Sequence, residues 1–288
     1  MKIKEIIAKG INILNKCNFE DSGIISREIL CYMLKKDKQY LLIHMNEELE
    51  ESIYNEFIEN INKIVRSIPL QYITNKQEFM NLEFYVDENV LIPQPDTEIL
   101  VESVLEICNN IKENTKIKIL DLCTGSGAIA IALNYELNKR NINTEIIASD
   151  ISDNALKVAK KNNVKNNTKV KFIHSDLFEN IKDNDFDIIV SNPPYIKKDV
   201  IPTLSKQVRN EPIIALDGGN DGLDFYKKII EQARKYIKNE GYLCLEIGYD
   251  QKIEVLTLLN QFEEYRKTKT IKDLSNNDRC IISEIKRW

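Results

Sequence analysis

Glycine and proline are scarce in this chain, 9 and 7 among 288 residues, which excludes a low-complexity polymer and leaves an ordinary globular composition. Histidine is nearly missing. Only His44 and His174 occur, so a histidine-based catalytic triad or a histidine-rich metal site is poorly supported. His44 falls in an apolar helical run and His174 at a strand end, and both read as structural. The six cysteines (Cys17, Cys31, Cys108, Cys123, Cys244 and Cys280) form no CxxC pair and no Cys/His cluster. That speaks against a zinc site or a disulfide frame and for free thiols in a reducing compartment. A basic excess is lacking too: 40 Lys and Arg face 45 Asp and Glu, a net charge of −5. Nucleic-acid binding normally draws much of its affinity from a basic face, so direct nucleic-acid contact is not expected. The N-terminal stretch interleaves charge with isoleucine and has no unbroken apolar run. Neither a secretion signal nor a membrane span is expected, and the protein is assigned to the cytoplasm.

What is present reads as one small and one large domain. Residues 1–75 carry only helical patterns. Ile3, Ile6, Ile7, Ile11 and Leu14 recur at helical spacing, Asp21-Ser22 offers an N-cap, and 50–65 form a long amphipathic stretch. A small helical module that recognises a partner and a structural cap are both open readings here. Residues 76–95 change character. Aromatics alternate through 78–86, an Asp87-Glu88-Asn89 turn follows, and then Val90-Leu91-Ile92, a pattern that predicts a β-hairpin linker ended by Pro93-Gln94-Pro95. From 96 to 288 a helix entry at Asp96-Thr97-Glu98 is followed by alternating strands and helices. This pattern predicts an α/β domain with a mainly parallel sheet covered on both faces, and a closing hairpin that adds an antiparallel strand.

The chemistry sits at predicted strand ends. Phe186–Val190 reads as a buried strand that breaks at Pro193 and Pro194, where missing donors and a fixed φ demand a stiff corner. Such a corner holds Asn192, whose amide both donates and accepts, and Tyr195, which has a flat ring. It suits a planar group bearing an NH2, whose two N–H bonds the Asn192 side-chain oxygen and the Pro193 carbonyl would accept. A surface turn is the plainer reading of the loop alone. After the first strand, Asp121-Leu122-Cys123-Thr124-Gly125-Ser126-Gly127 opens a helix. It lacks both the dinucleotide spacing G-x-G-x-x-G and the Gly-Lys-Ser/Thr of a phosphate loop. The second strand ends at Asp150, suited to ribose hydroxyls. The third ends at Asp176-Leu177-Phe178, suited to an exocyclic amine and an adenine wall. In that order the strand ends fit a nucleoside cofactor without a phosphate, facing a planar amine.

With these residues in place, the chain resembles the S-adenosylmethionine-dependent methyltransferases of the HemK/PrmC family. The resemblance rests on Pro69-Leu70-Gln71-Tyr72-Ile73, Ile92-Pro93-x-Pro95-Asp96-Thr97-Glu98, Asp121 to Ala130, Asn192 to Ile196, Glu211-Pro212, Leu216 to Asp224, Leu245-Glu246-Ile247-Gly248 and Asp278-Arg279. Asn-Pro-Pro-Tyr alone marks many amino-methyltransferases; the Pro-x-Pro-Asp-Thr-Glu and Gly-Gly-x-Asp-Gly-Leu runs are more specific. The resemblance implies a class I fold, with a seven-stranded Rossmann-like sheet and an antiparallel last strand. It also implies methylation of the glutamine amide nitrogen in the Gly-Gly-Gln loop of peptide-chain release factors. By the same resemblance Cys123, Thr124, Gly125, Ser126, Gly127, Asp150, Asp176, Leu177 and Asn192 would bind S-adenosylmethionine. Asn192, Pro193, Pro194 and Tyr195 would hold the substrate, and Asn192, Pro193 and Tyr195 would carry catalysis. No metal is implied, and a monomer is expected. Two departures stand out: Gln94 replaces the Arg usual between the prolines, and Asn75 and Asn81 replace frequent glycines. Asn tolerates a left-handed backbone better than most residues. Two other readings are a ribosomal-protein glutamine or nucleic-acid amine substrate, and a binding module with a vestigial fold. Intact Asp150, Asp176 and Asn192 to Tyr195 speak against the last.

Overall fold

The computed structural model of the chain describes residues 1–111 and 115–287. They form two compact units, 1–76 with 205–210, and 77–204 with 211–288. Residues 205–210, which lie inside the contiguous 96–288 division drawn from sequence, therefore group with the N-terminal helices, and the hairpin segment belongs to the second unit.

The first unit is helical: α1 (Ile3–Lys16), α2 (Ser22–Leu34), α3 (Lys38–Ile43), α4 (Glu51–Val65) and α5 (Leu70–Thr74). Ile3, Ile6 and Leu14 recur on one side of α1 and bury completely with Ile29, Leu30, Phe57 and Ile61, as the helical period requires. Asp37 caps α3 by accepting the Tyr40 amide at 2.7 Å. Asp21 stands at the start of α2 but makes no side-chain capping bond. Asn210 is tied to this unit through the Ser67 carbonyl at 2.8 Å.

The second unit opens with a short antiparallel hairpin, β1 (Gln77–Phe79) and β2 (Leu82–Phe84). The expected turn at 87–89 is corrected. The chain reverses at Met80-Asn81, both with positive φ (50° and 58°), the two-residue geometry that matches strand twist. Residues 90–92 form no strand. After α6 (Pro95–Asn110) come β3 (Ile117–Leu122), α7 (Ala128–Lys139), β4 (Thr144–Asp150), α8 (Asp153–Lys165), β5 (Lys171–His174), β6 (Phe186–Ser191), α9 (Asp224–Tyr236), β7 (Ile237–Glu246), α10 (Lys252–Leu259), β8 (Tyr265–Lys272) and β9 (Asp278–Ile285).

The strands form one seven-stranded sheet in the order β5-β4-β3-β6-β7-β9-β8. It is parallel from β5 to β7, while β9 runs antiparallel to both of its neighbours. Successive side chains of a strand point to opposite faces. Accordingly Ile119 and Ile188 pack into a core with α6 and α7, and Leu120 and Ile189 into a second core with α9 and α10. Two buried faces explain why β6 is buried at every position. Strand order reverses between β3 and β6, so a crevice opens at their carboxyl ends, where open α/β sheets bind ligands.

Candidate active site

The cleft at this switch point lies wholly within the second unit. Its walls include Asn89, Val90, Leu91, Cys123, Gly125, Asp150, Ile151, Ser152, Asp176, Leu177, Asn192, Pro194, Ile214, Ala215 and Phe225. About 670 Å³ of free space lies within it, counted out to its open mouth, a size suited to a nucleoside-bearing ligand.

The loop after β3 is shaped by a buried acid. Asp121 is fully buried and takes the Thr124 hydroxyl at 2.6 Å. Burial pushes its carboxyl up to about 7. Cys123 and Gly125 both hold positive φ, 59° and 54°. Left-handed backbone is costly for a residue with a Cβ and gathers at functional sites. A Cβ added at Gly125 would meet nothing within 4 Å, because that direction is the open cleft. Asp150 closes the floor: its Oδ2 accepts the Gly125 amide at 2.8 Å and its Oδ1 the Ser152 amide at 2.9 Å. Burial raises its pKa, and those two amides pull it back down. Leu177, also in the left-handed region at φ 45°, shows its side to the cleft beside Asp176. The open cradle at Gly125, the anchored Asp150 and the apolar Leu177 and Phe225 fit the ribose and base of a phosphate-free nucleoside. Burial beside Asp150 and Asp121 pushes the Cys123 thiol far up, so it serves as a neutral contact and not as a nucleophile.

Not every residue of the expected set faces this cleft. Thr124 is spent on Asp121, and Ser126 is buried with its carbonyl bonded to Asn162 at 2.9 Å. Gly127 lies against α8, near Ala159. Phe178 turns away from the cleft to stack on Tyr236, centroids 4.6 Å apart, so Leu177 and Phe225 take the wall assigned to it. On the substrate side Asn192 and Pro194 line the cleft, while Pro193 and Tyr195 do not. The Tyr195 hydroxyl faces Glu246 Oε1 at 3.4 Å, and burial pushes the phenol well above its ordinary value.

The Asn-Pro-Pro-Tyr corner is braced from several sides. Ser191 Oγ donates to the Leu122 carbonyl at 2.8 Å, joining the ends of β6 and β3. Gln251 donates to the Tyr195 carbonyl at 2.9 Å. The backbone at Ile196 bridges to Leu216 and Gly218 at 2.9 Å each. A Cβ on Gly218 would sit 2.7 Å from Tyr195 Cα, which explains glycine there. Asn192 itself donates its Nδ2–H to Thr97 Oγ1 at 3.2 Å.

Two contributors have roles that the sequence did not assign. Glu211 accepts the Ile92 amide at 2.9 Å and so anchors the chain beside the 89–91 wall. Asn162, fully buried, takes the Tyr85 amide at 2.7 Å and donates to the Tyr85 and Ser126 carbonyls at 2.9 Å each. Glu211 falls in the Glu211-Pro212 motif and Asn162 in none, but no local pattern gives the role of either, since both act on backbone far along the chain.

Comparison with known proteins agrees with this geometry. Residues 5–74 match the PrmC N-terminal domain model and residues 97–208 the Methyltransferase small domain model. A release factor glutamine methyltransferase of Clostridium acetobutylicum is 42% identical over 288 residues, with 98% of each chain covered. One from Thermodesulfovibrio yellowstonii is 40% identical, covering 98% of this chain and 96% of its own. Among solved structures, a methyltransferase from Pyrococcus furiosus superposes with a TM-score of 0.51 at 17% identity, over 78% of this chain and 99% of its own. At that identity the likeness speaks for the fold alone. A PrmC-type helical domain, a class I methyltransferase sheet and full-length identity of this order lead to one conclusion: the chain belongs to the release factor glutamine methyltransferase family and is a methyltransferase.

Proposed function

We propose that the protein transfers a methyl group from S-adenosylmethionine to the side-chain amide nitrogen of the glutamine in the Gly-Gly-Gln loop of peptide-chain release factors, in the cytoplasm. The observation that carries this reading is the orientation of Asn192. Its NH2 is committed to Thr97, which leaves Oδ1, on the opposite arm of the amide, to accept an N–H from a planar amide entering the cleft. The Pro193 ring is not among the cleft walls, but its backbone carbonyl, next in the chain to Asn192, is proposed to accept the second N–H, and Pro194 bounds the entry.

S-adenosylmethionine supplies a methyl group made electrophilic by its sulfonium. Gly125, Asp150, Asp176 and Leu177, all walls of the cleft, would hold the cofactor, with Asp150 suited to the ribose. An amide nitrogen is a weak nucleophile because its lone pair is delocalised. Two acceptors on its hydrogens return electron density to it and aim it along the line of transfer. Bound there, the sulfonium would release its methyl group to the amide nitrogen, sulfur keeping the bonding pair, and the nitrogen's proton would pass to solvent. No side chain has to act as a nucleophile; alignment alone can supply effective molarities on the order of 10⁵ M or more. The helical first unit is the surface proposed to recognise the release factor.

The test is methyl transfer from labelled S-adenosylmethionine to purified release factors and to versions with the Gly-Gly-Gln glutamine replaced. Label that depends on the intact glutamine is the expected result. No label on any release factor, with cofactor binding intact, would move the substrate to a ribosomal-protein glutamine or a nucleic-acid amine.

A further inference from the structure

Among the motifs that carry the resemblance, Glu211-Pro212 is one that the transfer step leaves unused. Glu211 is only 6% exposed, an expensive place for a carboxyl. Its Oε2 accepts the Ile92 amide at 2.9 Å. Residues 90–92 form no strand and Ile92 is itself buried, so no ladder serves that N–H, and a buried amide needs a partner. The Ile92 carbonyl is met as well, by Gln94 Nε2 at 3.0 Å, the residue that stands where arginine is usual.

Both ends of the Glu211–Ile92 bond lie beside the cleft. Asn89, Val90 and Leu91 line it just before Ile92, and Ile214 and Ala215 line it just after Glu211. Beyond Pro212 the chain makes one tight turn over 213–215, in which the Pro212 carbonyl accepts the Ala215 amide at 2.9 Å. It then joins the Asn-Pro-Pro-Tyr corner, where the Ile196 amide donates to the Leu216 carbonyl and the Gly218 amide to the Ile196 carbonyl. Segment 211–218 is therefore a strap fixed at one end by Glu211 and at the other by the backbone at Ile196. Between those points Ile213 and Ile214 are 63% and 55% exposed, so burial does little to hold this stretch in place.

We propose that Glu211 is a positioning residue for S-adenosylmethionine: by clasping the strap to the 89–92 segment, it holds two walls of the cleft at the separation the cofactor needs. This rests on the cleft being the cofactor's, as proposed above. Coupling of this kind runs both ways. If the clasp tightens cofactor binding by a given factor, bound cofactor tightens the clasp by the same factor.

The experiment measures S-adenosylmethionine affinity by calorimetry in wild type, Glu211→Gln and Glu211→Met, together with hydrogen exchange of the Ile92 amide. Methionine keeps the bulk but is a poor acceptor, whereas glutamine keeps a carbonyl oxygen. Glu211→Met is expected to weaken cofactor binding roughly 10-fold, about what one hydrogen bond supplies. KM for the cofactor rises with it while kcat at saturating cofactor holds, the mark of a residue that serves binding and not transfer. Glu211→Gln recovers most of the affinity, which separates the hydrogen bond from the charge. In wild type, saturating S-adenosylmethionine slows Ile92 exchange by a like factor, a readout that needs neither a variant nor a methyl acceptor. A folded Glu211→Met that binds the cofactor as tightly as wild type overturns the inference. Should that variant fail to fold, an Ile92 amide whose exchange ignores the cofactor overturns it equally. Asp150→Ala tells the two readings apart. Affinity kept there sinks the cleft as the cofactor's site, while affinity lost there and kept in Glu211→Met sinks only the clasp.

Discussion

At the scale of single residues, the proposed function divides the cleft between two side chains, Asp150 for binding and Asn192 for transfer. Asn192→Ala removes the proposed acceptor for the substrate N–H and leaves the Gly125 and Asp150 floor untouched. Turnover is expected to fall below detection in the labelled-methyl assay while calorimetry still records S-adenosylmethionine binding. A comparable loss of affinity would make Asn192 a cofactor residue instead. Asp150→Ala has the converse signature. It removes the proposed ribose acceptor and frees the Gly125 and Ser152 amides, so affinity for S-adenosylmethionine should weaken by about 1.5–3 kcal/mol, the range for hydrogen bonds to a charged group. Unchanged affinity in Asp150→Ala would remove Asp150 from the binding set.

At the scale of elements, the site depends on segments that have no regular structure of their own. The glycine turn after β3 is held through Asn162 on α8, whose amide ties the Ser126 carbonyl to the backbone at Tyr85. Asn162→Ala takes the amide away from the Tyr85 N–H and carbonyl and from the buried Ser126 carbonyl. Urea unfolding should show a loss of about 3 kcal/mol, since each unsatisfied buried group costs on the order of 1–3 kcal/mol. A loss below about 0.5 kcal/mol, the level of an ordinary surface change, would mean that solvent reaches these groups. The hairpin β1–β2 shows why short elements are hard to place from pattern alone. Phe79 and Phe84 are both buried and meet edge to face, centroids 6.0 Å apart. They belong to an alternation that could equally be cut at 87–89. Met80-Asn81 wins because both residues adopt the left-handed backbone a two-residue turn needs, with Glu98 accepting the Met80 amide at 2.7 Å.

At the scale of the whole molecule, buried acids give the stability an unusual pH dependence. Burial pushes the carboxyls of Asp121, Glu211 and Glu246 each up to about 7. A carboxyl whose folded pKa lies above its unfolded one binds its proton more tightly in the native state. Its contribution is therefore complete below the unfolded value and is lost as pH rises through about 7. Glu145 works the other way. Hydrogen bonds from Lys116 and Lys171 hold its carboxyl down to about 2, and the stability it adds is lost only as pH falls toward that value. Between pH 5 and 8 the buried acids decide the sign, so the urea midpoint should be higher near pH 5 than near pH 8. Glu211→Gln should flatten this slope, because the amide cannot ionise. An unchanged slope would take Glu211 out of the account.

The sequence by itself determined the alternation of strands and helices, the helical start, the antiparallel closing strand and the strand ends that carry Gly125, Asp150, Asp176 and Asn192. These follow from local periodicity and from the rule that ligands meet parallel sheets at carboxyl ends, so a short stretch of chain holds all the information. Tertiary structure alone decided which residues wall the cleft and which hold it in place. Ile92 and Glu211 are 119 positions apart, Tyr85 and Asn162 are 77, and Thr97 and Asn192 are 95. Nothing in the neighbourhood of either partner marks such a pair, because a hydrogen bond across the fold depends on where the sheet delivers two distant segments. For the same reason Phe178 and Tyr195, equally plausible as cleft residues from their place in the motifs, turn inward to Tyr236 and Glu246. Burial of a ring against a partner already in the core outweighs leaving it at the wall of an open cleft.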